Sequence, residues 1–208
     1  MTNSLYKNGE GSALLCNPKL AEKIVEECAK TNKTITVKMR IGTKDSTMPP
    51  DEFARRMEGA GAQAITVHGR YREAYYNGEP DYDAISAVKN AVRVPVLANG
   101  GIFSMADADV MMKNTGADGV MIARGALCNP WIFGEIYGKT VRKDKYAAII
   151  TQAERLMEKF DERHTIVNLR KAVAWYLKGE RGGKEIKEKV FRAETLQELK
   201  SALLPIKK

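Results

Sequence analysis

No run in this 208-residue chain approaches the roughly 20 consecutive apolar residues that a membrane-spanning helix needs, so no transmembrane segment is expected. The opening MTNSLYKNGEGSALLC lacks the basic stretch and apolar core of a secretory signal. Cysteine is scarce. Cys16, Cys28 and Cys128 make neither a paired framework nor a metal-ligand spacing, and the expectation is a soluble cytoplasmic protein with all three thiols reduced. Histidine is scarcer, with only His68 and His164, and neither has a second histidine or carboxylate at ligand spacing; no metal site is expected.

What is present is an ordinary globular balance, 44% hydrophobic and 29% charged, with a net charge of +8. That charge is uneven. Residues 1–138 carry 16 Lys plus Arg and 16 Asp plus Glu, whereas residues 139–208 carry 18 and 10 and hold the whole excess. A basic block of this kind is either a nucleic-acid surface or a solvated helical face.

Hydrophobic periodicity separates the same two regions. Before residue 139, short β-branched runs alternate with amphipathic segments, the pattern of βα units around a parallel sheet. The predicted strands are ITVKMR (35–40), AITVHG (64–69), VPVLANG (94–100) and GVMIAR (119–124), almost continuously apolar, as strands covered on both faces are. The predicted helices include SMADADVMMKNTG, with Ser104 as N-cap, Asp107 and Asp109 in the early turns and Gly116 as the stop. A spacing of about 30 residues per unit suits an α/β barrel, but a complete barrel has eight strands and four are found. Beyond residue 138 only helical patterns occur: YAAIITQAERLMEKF, TIVNLRKAVAWYLKG and LQELKSALL. The expected fold is therefore the second half of a TIM (β/α)8 barrel, residues 1–138, followed by a small all-helical domain, residues 139–208. Trp175 and Tyr176 lie in an apolar helical stripe and read as core or interface. His164 reads as a surface residue.

In parallel α/β proteins, ligands gather at the carboxyl ends of the strands. Here those ends are polar: Lys38 and Arg40 on one side of the first, His68, Gly69 and Arg70 at the second, Asn99, Gly100 and Gly101 at the third, Arg124 and Gly125 at the fourth. A lysine turned into a barrel is costly unless an anionic or hydrogen-bonding partner meets it. Asn-Gly-Gly alone is a turn signal; with a cation at the neighbouring strand end it reads as a phosphate cradle. His68 follows an apolar run at the mouth, where an imidazole can donate to a ligand. The loop RYREAYYNGEPDY brings Arg70, Arg72 and Tyr75 together, which suits splayed RNA bases and phosphates; a polar loop with its rings packed on helices is the other reading.

The motifs VKMR, VHGRYREAYYNGEPDY, VPVLANGGI, TGADGVMIARGALCNPWIF and LRKAVAWYLKG, with GEGSALL near the start, closely resemble the tRNA-dihydrouridine synthases, from about Gly9 to about Arg192. Several motifs in one order are far more specific than one glycine pattern. The resemblance implies FMN at the barrel mouth, NADPH as reductant, tRNA as substrate and a helical domain that grips it. It implies cofactor contacts from Lys38, His68, Asn99, Gly100, Gly101, Ala123 and Arg124, and RNA contacts from Arg40, Arg70, Arg72 and Tyr75. The family's catalytic cysteine lies in an Asn-x-Gly-Cys-Pro motif that here falls at or before Met1, so no catalytic residue is assigned, and Cys16, Cys28 and Cys128 occupy other positions. Gly101 replaces a common acidic residue, Ala123 a common glycine and Ala172 a frequent histidine. The expected activity is reduction of tRNA uridine to 5,6-dihydrouridine by this fragment. The alternative is an incompetent RNA- or flavin-binding remnant. Self-association, or pairing with an N-terminal half-barrel fragment, would close the open sheet.

Overall fold

In the computed structural model, residues 6–180 and 182–207 are described. They form two compact units, residues 1–123 and 124–208. Among the described residues, no helix is long and apolar enough to cross a membrane.

The first unit holds a four-stranded parallel sheet in the order β1-β2-β3-β4, with β1 Thr36–Arg40, β2 Ala64–His68, β3 Val96–Asn99 and β4 Gly119–Met121. Helices α1 (Pro18–Ala29), α2 (Pro50–Gly59), α3 (Tyr82–Ala91) and α4 (Met105–Thr115) alternate with the strands. A proline at the first helical position opens α1 and α2, where its missing N–H costs nothing. Asn17 and Asp81 cap α1 and α3 through their side-chain oxygens. Ser104 caps α4 by accepting the Asp107 amide at 3.2 Å, and Gly116 ends that helix at φ +65°, both as the sequence predicts.

Strand alternation sends Ile65, Val67, Val96 and Ala98 to one side, where each is fully buried. Phe53, Met57, Ile85, Val88 and Met111 from the helices are buried with them. Each large side chain removed from water contributes about 1.5–3 kcal/mol before the entropy of ordering it is subtracted. The other side carries Lys38, Arg40, Thr66, His68, Leu97 and Asn99.

Two features depart from the sequence reading. β4 stops at Met121 rather than Arg124, because Arg124 already begins helix α5 (Arg124–Cys128). Residues 124–138, placed with the barrel by charge, carry α5 and α6 (Ile132–Ile136) and cluster with the second unit.

The second unit continues with α7 (Lys145–Met157), α8 (Glu162–Tyr176), α9 (Gly183–Val190) and α10 (Leu196–Leu203). Its core joins Ile149 and Ala153 of α7, Ile166, Leu169 and Val173 of α8, Ile186 and Val190 of α9, and Leu199 and Leu203 of α10. Asp144 and Asp161 cap α7 and α8, and Thr195 with Glu198 forms a capping box on α10. Tyr176 joins this core, Trp175 lies under the Lys178 ammonium at 5.5 Å, and His164 is exposed. Helix α9 escapes the sequence reading because only Ile186 and Val190 mark its buried face, in a segment otherwise of Lys, Glu and Gly.

Candidate functional site at the carboxyl edge of the sheet

Parallel pairing sets Arg40 opposite His68, and His68 opposite Asn99, so these three form one row across the carboxyl edge. Asn99 in turn pairs with Met121, and its side-chain amide donates to the Met121 carbonyl at 2.7 Å. Two residues further into the sheet, a second row runs from Lys38 through Thr66 and Leu97 to Gly119.

Lys38 is exposed and makes no hydrogen bond or ion pair among the described residues. Desolvation by the surrounding protein, followed by repulsion from Arg40, holds its ammonium below the usual lysine value. His68, Asn99 and Arg70 are buried, each less than a tenth exposed. Directly after Asn99 the chain turns through Gly100 and Gly101 at φ +129° and +69°. A Cβ on Gly100 would stand 3.1 Å from both Arg70 Nη1 and His68 Cδ2. Only glycine satisfies both the backbone and the space there.

The arginines differ in what they hold. Arg40 donates through Nη1 to the carbonyl of Tyr71 at 3.0 Å, and through both terminal nitrogens to that of Tyr75 at 3.2 Å. Arg70 donates through Nε and Nη2 to the Gly78 carbonyl at 3.1 and 2.7 Å, while its Nη1 lies 3.3 Å from His68 Nε2. Both guanidinium groups therefore brace the loop after β2. Arg72 lies at the rim, paired with Glu73 at 3.3 Å and with its guanidinium 3.8 Å above the Tyr6 ring. Tyr75 sits at φ +50°, strained for a residue with a bulky side chain, and Tyr71, Tyr75 and Tyr76 are all exposed.

Two cavities open beside this edge. One of about 150 Å³ is bounded by Tyr6, Glu10, Gly11, Ser12, Arg40, Arg72 and Tyr75. The other, of about 380 Å³, runs along β1 and is lined by Lys38 and Arg40 together with Leu15, Val25, Phe53 and Met57. The structure thus brings together Lys38, Arg40, His68, Arg70, Asn99, Gly100 and Gly101, with Arg72 and Tyr75 at the rim. Ala123 is the last residue of the first unit and Arg124 the first of the second.

The sequence reading missed Tyr6, whose hydroxyl donates to Asp45 at 2.9 Å and lies 3.7 Å from Cys16. Cys16 in turn contacts the Thr43 hydroxyl at 3.3 Å. It also missed the Gly78 carbonyl as the acceptor for Arg70; the Asn77-Gly78 turn signal was the available clue. Among the described residues, no three metal-ligating side chains cluster.

Comparison with known proteins gives a consistent picture. A family model for dihydrouridine synthase (Dus) matches residues 2–208. The probable tRNA-dihydrouridine synthase 1 of Synechocystis sp. is 39% identical over 210 residues, covering 97% of this chain and 59% of that protein. tRNA-dihydrouridine synthase B of Pasteurella multocida is 36% identical over 180 residues, covering 81% of this chain and 54% of its own. The chain therefore spans between one half and three-fifths of the length of these relatives. A solved mandelate oxidase bound to 3,3-difluoro-2-hydroxy-3-phenylpropionic acid is 16% identical with a TM-score of 0.38, covering 88% of this chain and 58% of that one; a likeness so slight bears no weight.

Proposed function

The chain belongs to the dihydrouridine synthase family, and from that premise we propose that it forms the second half of an α/β barrel that reduces uridine in tRNA to 5,6-dihydrouridine. When bound, FMN supplies the hydride for the uracil ring, with NADPH as the reductant that restores it. The donor set fits such a cofactor. Lys38 offers a cation that no described acid neutralises, suited to an electron-rich ring edge or an anionic reduced form. His68 and Asn99 stand in the adjoining row, and the amides of Gly100 and Gly101 are the proposed phosphate donors. Ala123 and Arg124 keep their phosphate role on the sequence resemblance.

The substrate assignment is narrower than the sequence suggests. Arg72 and Tyr75 remain proposed RNA contacts, since both lie at the rim. Arg40 and Arg70 are reassigned to shaping the loop that carries them, because their guanidinium groups grip its carbonyls. None of Cys16, Cys28 and Cys128 is proposed as the proton donor. The basic excess in residues 139–208 is proposed to contact tRNA phosphates. β1 and β4 end the sheet, and their open edges are proposed to pair with strands from a second copy or from an N-terminal half-barrel fragment.

The observation that most supports this reading is the register that aligns Arg40, His68 and Asn99 and sets the Gly100–Gly101 turn directly after them. The test is to add FMN to the purified chain, remove excess by gel filtration and record the visible spectrum. A retained flavin band that disappears in Lys38→Ala is expected. A colourless wild-type protein refutes flavin binding by this chain alone. On the retained complex, tRNA affinity should fall by at least tenfold between 50 and 200 mM salt, on the order expected for several phosphate contacts. A curve flat across that range removes the basic region from the reading.

A further inference from the structure

His68 and Arg70 leave the end of β2 two residues apart, and the Arg70 amide donates to the His68 carbonyl at 2.7 Å. Their side chains meet again at 3.3 Å, Nη1 to Nε2. A guanidinium stays charged and has only N–H donors, so this contact is a hydrogen bond only when Nε2 is the acceptor. The imidazole is then neutral, with its proton on Nδ1. We infer that Arg70 is a positioning residue that locks His68 as the neutral Nδ1–H tautomer, a fixed hydrogen-bond donor rather than an acid. Use of that donor by FMN rests on the function proposed above; the lock itself does not.

Three observations give the lock its stiffness. Arg70 is anchored by two of its own donors on one carbonyl, that of Gly78, which fixes the guanidinium plane. Both residues are only 6% exposed, so a second positive charge on the imidazole would face Nη1 with little water to screen it. Gly100 closes the third side, and its missing Cβ is what allows both groups to sit where they do. The Tyr76 ring, tilted by 33° with its centroid 6.3 Å from that of the imidazole, lies near the ring as well.

The sequence makes the experiment simple, because the chain has two histidines and His164 is exposed in the other unit. Long-range proton–nitrogen spectra of the full chain labelled with nitrogen-15 histidine report each ring nitrogen separately. For wild type near neutral pH, His68 should show a protonated Nδ1 and a bare Nε2, with His164 as the solvent-exposed reference. Arg70→Met should shift His68 toward the Nε2–H form that imidazole favours in water, or toward the doubly protonated ring. Arg70→Lys, which keeps a cationic donor, should restore much of the wild-type pattern. A wild-type His68 protonated on Nε2 overturns the inference, as does an unchanged tautomer in Arg70→Met. If Arg70→Met does not fold, the wild-type spectrum still decides. FMN retention is a separate readout: Arg70→Met should weaken it by about tenfold, the worth of one oriented hydrogen bond. The expected tautomer in a chain that retains no flavin would leave the lock standing and refute the flavin reading alone.

Discussion

Gly100→Ala is the most informative single substitution in this molecule, because it acts on backbone and packing at one point. The native φ of +129° lies where L-residues are rarely found, a penalty on the order of 1–3 kcal/mol. The new methyl group must also displace Arg70 Nη1 and His68 Cδ2, each 3.1 Å from its ideal position. Overpacking of that degree costs about 1–3 kcal/mol where the neighbours are tied, and Arg70 is tied to Gly78. Together these predict a loss of about 2–6 kcal/mol, with the methyl pushing apart the pair that fixes His68. Gly116→Ala is the matched control. Gly116 also has positive φ, at +65°, but its added Cβ meets nothing within 4 Å, so only a backbone cost of about 1–2 kcal/mol remains. Urea denaturation followed by circular dichroism should place the Gly100→Ala midpoint clearly below that of Gly116→Ala, and flavin retention should fall only in the former. Equal midpoints with equal retention would refute the claim that Gly100 is required by the Arg70–His68 contact.

Two further predictions concern charge. Lys38 has a lowered folded pKa, so the folded state sheds that proton first; between the lowered value and the ordinary unfolded value of about 10.4, stability rises with pH. Below that window the cost of the crowded charge is present in full. Lys38→Met should thus leave the ligand-free protein as stable or up to about 1 kcal/mol more stable at pH 7, flatten the alkaline rise and weaken FMN binding; urea midpoints measured from pH 7 to 10 check it, and an unchanged alkaline rise would refute it. Asp118 is held below the usual carboxylate range, first by the Lys89 ammonium and then by the Val96 amide, at 2.7 and 2.8 Å from Oδ2. Its stabilising contribution is present above the unfolded value of about 3.9 and lost as pH falls through the lower folded one. Asp118→Ala should cost about 1 kcal/mol at pH 7 and nothing near pH 2, so wild-type and variant stabilities that fail to converge in acid would count against it.

The strands were legible because both-sided burial writes nearly unbroken apolar runs, and their ends were legible because Arg40, His68 and Asn99 interrupt those runs at equivalent places. Alternation could say that Lys38 and Arg40 share a side, and parallel register then aligned Arg40, His68 and Asn99. The direction of Arg70 was not legible. It lies beyond the end of β2, where alternation no longer dictates orientation, and its acceptor is a backbone carbonyl that any residue at 78 would supply. The short helices α5 and α6 were hidden for a different reason: Asn129-Pro130 separates them, and neither is long enough to show a period. Charge gave the boundary at 138 because residues 124–138 are electrically balanced, whereas packing follows where apolar side chains gather.

The two arginine braces have a consequence for how the loop after β2 can vary. Arg40 and Arg70 grip the carbonyls of Tyr71, Tyr75 and Gly78 and leave the side chains of Tyr71, Tyr75 and Tyr76 outside the grip. The course of the loop is thereby separated from the residues it displays. Mutational drift, or a directed library, can exchange the exposed rings of Tyr71 and Tyr75 for other shapes and charges while the scaffold that carries them keeps its path, with Gly or Asn at position 75 relieving the φ of +50° as well. A surface built in this way can change its chemistry without first having to refold.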